Sequence, residues 1–136
     1  MTIAERELCG LVSGLAQEIE AHIRVLAAKL NLTAPQAIAL RELTGPLTMR
    51  ELAGRMTCEP SNATFVVDRL ESQGLVVREP HPTDRRAKQL VLTPAGAELR
   101  AQLIEAFVGN SPLAALTDQE QKSLRELLLR ASGRSR

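Results

Sequence analysis

Aromatic side chains are nearly missing from this sequence of 136 residues, which has no tryptophan, no tyrosine and two phenylalanines. Cysteine is as scarce. Cys9 and Cys58 are too few for a disulfide framework, and neither has a CxxC partner or a nearby histidine pair, so no structural metal and no cofactor is expected. Long apolar runs are also absent, and the opening MTIAEREL puts Glu5, Arg6 and Glu7 where a signal peptide needs an apolar stretch. Neither a membrane span nor a secretory leader is expected, and a reducing, cytoplasmic setting is the default. Nor is there an excess of one charge. The 17 Lys and Arg stand against 16 Asp and Glu, and even residues 50–90 hold only seven basic side chains to six acidic, which excludes a histone-like polycation.

What remains is one domain's length of chain with 44% hydrophobic residues, long enough to bury a core without staples. Helical periodicity dominates it. Thr2 and Glu5 form a capping box, after which Leu8, Leu11, Val12, Leu15, Ile19, Ile23, Leu26 and Leu30 recur at three- and four-residue steps. Such a helix would be about 42 Å long, more than a domain of this size covers, so part of it is expected to pack on a second subunit. Thr33-Ala-Pro-Gln36 starts a second helix that stops at Thr44-Gly-Pro46, and Thr48 with Glu51 starts a third that yields at Thr57. Pro60 opens a fourth, closed by Gly74 as a left-handed cap, with Ala63, Val66, Val67 and Leu70 on one face and Ser61, Asn62, Thr64 and Arg69 facing out.

After Gly74 the period becomes strand-like. Residues 75–79 and 88–92 read as two strands joined by the turn-rich tip Pro80-His-Pro-Thr-Asp-Arg-Arg86. A two-stranded hairpin is marginal alone and must lean on the helices. Thr93-Pro94 starts a fifth helix to about Val108, Gly109-Asn-Ser-Pro112 breaks it, and Thr117 with Glu120 caps a last helix carrying Leu124, Leu127 and Leu128. The fold class is therefore mainly α with a small β-hairpin: a winged helix-turn-helix over residues 33–93, with dimerisation helices at 1–30 and 94–136, in a single domain of 136 residues. Two short helices with a tight turn let the second enter a DNA major groove by its N-terminal residues. Asn62 suits adenine, and Ser61 and Thr64 suit bases or phosphates. At the wing tip Arg85, Arg86 and Lys88 form the one basic cluster, and an arginine there can enter a narrow minor groove. Asp84 would repel phosphate, so the expectation is that it orients the guanidinium of Arg86.

These residues carry a resemblance. Leu30-Asn-Leu-Thr33, Pro35-Gln36, Glu51-Leu-Ala53, Val67-Asp-Arg-Leu70, Gln73-Gly-Leu75, Asp84-Arg-Arg-Ala-Lys88 and Leu92-Thr-Pro-Ala-Gly96 are similar, in order and spacing, to the MarR family of bacterial winged-helix repressors. The resemblance implies a homodimer on a pseudo-palindromic double-stranded operator. It carries DNA contact onto Ser61, Asn62, Thr64 and Arg86, with Arg50 and Arg78 beside them. Glu59 departs from the pattern, because an N-cap is better served by Asp, Asn, Ser or Thr.

The hydroperoxide-sensing branch of that family places a reactive cysteine in the first helix, near the position of Cys9. With no tyrosine to hold a thiolate, Cys9 reads instead as a small interface hydrophobe, and a thiol switch is the minor variant. An effector site is expected between the first, second and fifth helices, lined by Leu15, His22, Leu26, Gln36 and Leu40, and suited to a small apolar acid or phenol. His81 reads as a solvated wing residue. No Ser-His-Asp order, phosphate loop or carboxylate pair suggests an enzyme. The alternative from a different class is a winged-helix module that binds protein and not DNA.

Overall fold

The computed structural model describes residues 2–133. Six α-helices and one hairpin follow in the order α1 (Ile3–Lys29), α2 (Ala34–Glu42), α3 (Met49–Met56), α4 (Pro60–Ser72), β1 (Val76–Pro80), β2 (Lys88–Leu92), α5 (Pro94–Val108) and α6 (Asp118–Ala131). A 3-10 turn, Pro112–Ala115, lies before α6 where residue spacing predicts only a break. Among the described residues no helix is long and apolar enough to cross a membrane.

Four helices start by the same device. Thr2, Thr33, Thr48 and Thr117 each accept the N–H three residues on, and Glu5, Gln36, Glu51 and Glu120 each reach back to the threonine N–H, at 2.6 Å for Glu5 and 2.9 Å for the other three. The backbone N–H of the cap threonine, followed by its hydroxyl, holds the carboxyls of Glu5, Glu51 and Glu120 below their ordinary 4.5. Their contribution is therefore complete above pH 4.5 and is lost as pH falls through the lowered values. Glu59 makes no side-chain cap, and α4 starts instead on Pro60, whose ring presets the helical φ. Gly74 takes φ +75° as its position predicts, while Asn31 and Thr57 also adopt left-handed φ, at 58° and 54°, which side-chain periodicity does not encode.

The core lies around α2. Ala37, Ala39, Leu40 and Leu43 are fully enclosed by Ile23 and Ala27 of α1, Leu52 of α3, Val67 and Leu70 of α4 and Leu103 of α5. Arg100 of α5 donates from Nε to the carbonyl of Leu40 (2.8 Å) and from a terminal nitrogen to that of Arg41 (2.9 Å), closing the last turn of α2. The hairpin pairs Val76 with Leu92 and Arg78 with Leu90, and buries Val76 and Leu90 against the helices. Leu47, in the connection between α2 and α3, exchanges both backbone hydrogen bonds with Leu90, adding one residue of third strand to the sheet.

The first turn of α5 lies hard against the hairpin's entry. A Cβ at Gly96 would stand 2.0 Å from the carbonyl oxygen of Leu75, a backbone atom that cannot swing aside. Gly96→Ala is expected to lower stability by about 2–3 kcal/mol or more, as forced overpacking does, with a matching fall in thermal midpoint.

Candidate nucleic-acid interface

The turn between α3 and α4 is tight because Thr57 closes α3 in the left-handed conformation and the N–H of Cys58 donates to the carbonyl of Ala53 at 3.0 Å. Helix α4 turns Ala63, Val67 and Leu70 inward. Ser61 and Asn62 are exposed at its start. Thr64 is half-buried and its hydroxyl donates to the carbonyl of Pro60 (2.9 Å), leaving only acceptor capacity for a ligand. Phe65 is 65% exposed, and the guanidinium carbon of Arg69 lies 5.6 Å from its ring centre. The signal for Phe65 was available: at about 100° per residue it falls between Ser61 and Arg69 on the outward face.

The wing tip is organised by two side chains acting on the main chain. Nδ1 of His81 accepts the N–H groups of Thr83 (3.2 Å) and Asp84 (3.1 Å), while the N–H of His81 donates to the carbonyl of Ala87 (3.2 Å). His81 is half-buried, which corrects its reading as a solvated residue. The carboxylate of Asp84 accepts the backbone N–H of Arg86 (3.0 Å). Asp84 therefore orients the wing through its backbone turn, not through a guanidinium fork, because an Asx turn two residues ahead is the shortest closure open to it. The side chains of Arg85 and Arg86 are exposed and make no ion pair among the described residues.

The Leu47–Leu90 bridge brings α3 to the hairpin. Arg50, Arg78 and Lys88, far apart in sequence, consequently line one crevice together with Thr48, Met49 and Ala87. Arg78 is already engaged: it pairs with Asp68 and, at 3.6 Å, with Glu71, both on α4. Half-exposed pairs of this kind contribute under about 1 kcal/mol, yet they neutralise the acidic flank of the outward helix. Arg50 and Lys88 remain exposed with no ion pair among the described residues.

The five residues expected to line an effector site are not alike. Leu26 and Leu40 belong to the core, and Gln36 is buried with its oxygen on the N–H of Thr33 and its amide donating to Gln73 at 3.1 Å. The packing of α1 on α2 consumes those three. Leu15 and His22 stay half-buried, and His22 lies 5.3 Å from the ring of Phe107 with its Nε2 enclosed and without a hydrogen-bond partner among the described residues. Cys9 is exposed on α1 and Cys58 is half-buried.

Removing either organiser of the wing has a local expected outcome. Asp84→Ala should speed amide exchange at Arg86, and His81→Ala at Thr83 and Asp84, whereas Asp84→Asn and His81→Asn retain an acceptor and hold the protection. Each alanine variant should cost no more than about 1.5 kcal/mol of global stability, since the bonds are solvent-facing. Hydrogen exchange followed by NMR, beside a thermal melt, checks both parts.

Comparison with known proteins meets this geometry. The family model described as "MarR family" matches residues 32–88, the span from the end of the α1–α2 connection to the start of β2. The organic hydroperoxide resistance transcriptional regulator of Bacillus subtilis is 28% identical over 125 residues, covering 90% of this chain and 83% of that protein. A crystal structure of a mutant MarR from E. coli, complexed with operator DNA, superposes with a TM-score of 0.71 at 26% identity, over 92% of this chain and 93% of that one. NadR in complex with 4-hydroxyphenylacetate superposes with a TM-score of 0.80 at 26% identity, over 90% and 89% of the two chains. With the helix order, the capped turn, the wing and these matches in agreement, the chain belongs to the MarR family of transcriptional regulators.

Proposed function

We propose that the chain is a homodimeric repressor that binds a pseudo-palindromic, double-stranded operator and is released by a small acidic or phenolic effector. It acts in the cytoplasm as a binding protein and not as an enzyme. The observation that carries the reading is the exposure of Ser61 and Asn62 at the start of α4 together with four cations free of ion pairs among the described residues: Arg50 and Lys88, which line one crevice between α3 and the hairpin, and Arg85 and Arg86 at the wing tip. The E. coli relative with operator DNA supports the same use of this fold. In this reading Ser61 and Asn62 meet bases or phosphates, Thr64 accepts from a base amino group, Arg86 enters the minor groove, and Arg85, Arg50 and Lys88 neutralise backbone charge. Arg78 serves by cancelling Asp68 and Glu71.

Dimerisation is supported by what the chain leaves uncovered. Helix α6 buries no residue, and Leu127 and Leu128 on it, with Leu8, Leu11 and Val12 on α1, stay exposed. Apolar stripes of that extent are a liability unless a partner covers them. A second copy supplies matching stripes and a two-fold axis, and hence an inverted-repeat operator with half-sites about 34–36 Å apart.

The effector reading rests on His22. An enclosed imidazole nitrogen without a partner among the described residues, backed by Phe107, offers a hydrogen bond to a carboxylate or phenol oxygen, and NadR is a structural relative that holds such a phenolic acid. Release follows if the ligand favours a dimer whose recognition helices are wrongly spaced. Cys9 fits the thiol variant less well, because the chain has no tyrosine to hold its thiolate.

Titration of a promoter fragment from the protein's own locus against salt tests the core of this. Binding should be sequence-selective and should weaken as salt rises, and Arg86→Ala should reduce affinity and lower the salt slope by about one phosphate equivalent while the protein stays folded. Light scattering should give a dimer. A flat salt response without sequence preference would instead favour a protein-binding role for the same winged helix.

A further inference from the structure

Phe65 is the residue that the polar reading of α4 leaves unexplained. Helix α4 already buries Ala63, Val67 and Leu70, so its core-facing side is complete without an aromatic. Phe65 stands instead on the opposite side, 65% exposed, in a chain that has only one other phenylalanine. Ser61 and Asn62 lie within a turn of it toward the helix start, and Arg69 lies one turn beyond. The ring borders an apolar crevice lined also by Pro35, Ile38, Met56 and Val66, and the guanidinium of Arg69 lies 5.6 Å from the ring centre. Phe65 thus presents an apolar surface to solvent between the polar start of α4 and Arg69.

Resting on the DNA reading above, we infer that Phe65 is a specificity-determining residue that packs against the C5-methyl group of a thymine in the major groove. The major-groove edge of thymine carries a methyl group, an apolar feature that cytosine, adenine and guanine lack, and phenylalanine is one of the side chains able to recognise it. The neighbouring side chains divide the work. Ser61 and Asn62 offer hydrogen bonds to base edges or phosphates, Arg69 offers charge to the backbone, and Phe65 reads the methyl with no polar atom left unpaired. The resulting preference is for thymine at one defined position of each half-site, independent of whatever Asn62 reads.

The test uses the full-length protein and an operator recovered by selection from a random duplex pool. Each thymine of a half-site is then replaced in turn by deoxyuridine, which removes the methyl and preserves the base pair. At one position the wild type should lose about three- to fivefold in affinity, the loss that corresponds to one buried methyl. Phe65→Ala should bind the unmodified operator more weakly and be indifferent to deoxyuridine at that position, while Phe65→Leu should recover part of both the affinity and the methyl dependence. The side chain is exposed, so the thermal midpoint of Phe65→Ala should match that of the wild type. The inference is overturned if no deoxyuridine substitution weakens the wild type, or if Phe65→Ala remains equally sensitive at the same thymine. A pool that yields no preferred sequence overturns the DNA reading as well, whereas a recovered operator without coupling to Phe65 overturns this inference alone.

Discussion

The structure turns on the enclosure of one nine-residue helix. Helix α2 is packed against α1, α3, α4 and α5, and a helix that short cannot persist in water by itself. Its ends must also be satisfied, because about eight terminal backbone groups find no partner within the helix. Thr33 and Gln36 serve the N-terminus, and Arg100, reaching across from α5, serves the last carbonyls. Arg55 of α3 adds a bond to the carbonyl of Glu42 at 3.2 Å. Ala37 and Ala39, both wholly buried, let the surrounding helices approach closely.

From that enclosure the outward surface follows. Gln36 donates to Gln73 at the end of α4, linking the buried helix to the one that carries Ser61, Asn62 and Phe65. Leu47 continues from α2 into a bridge with Leu90, so the start of α3 and the wing are held by the same two backbone hydrogen bonds. The crevice of Arg50, Arg78 and Lys88 is a product of this bridge and not of any local sequence motif. Net charge near zero is thus compatible with a cationic edge, since two acidic residues of α4, Asp68 and Glu71, are answered by Arg78.

Much of this was legible in the chain because the signals are local. All six α-helices, the hairpin and the left-handed Gly74 fall where capping residues, periodicity and prolines put them. Features made by tertiary contact were not legible. The Leu47–Leu90 bridge, the reach of Arg100 and the close approach of Gly96 to Leu75 depend on distances between segments that no window of sequence contains. The site shows the same division. Exposure of Ser61 and Asn62 follows from helix geometry, whereas the turning of Asp84 and His81 onto the wing backbone depends on how the loop folds over itself. For the effector site depth is what the pattern does not give: Leu26 shares its helical face with the half-buried His22 and Leu30, and Gln36 and Leu40 lie on the buried face of α2, so periodicity distinguishes faces but not layers.

The repeated threonine capping boxes also bear on how the molecule assembles. Each box closes within four residues, so α1, α2, α3 and α6 have their starting points defined before any distant contact exists. Nucleation is the costly step in helix formation, and a chain that lowers this barrier locally at four places has little register to search. The β1–β2 pairing is also between neighbours in sequence. A topology made mostly of such short-range pairings belongs to the fast-folding class, with the Leu47–Leu90 and Leu40–Arg100 bonds, which span long loops, forming last. The refolding rate of a single chain would then be set by the docking of α5 onto α2, and not by the making of the helices themselves.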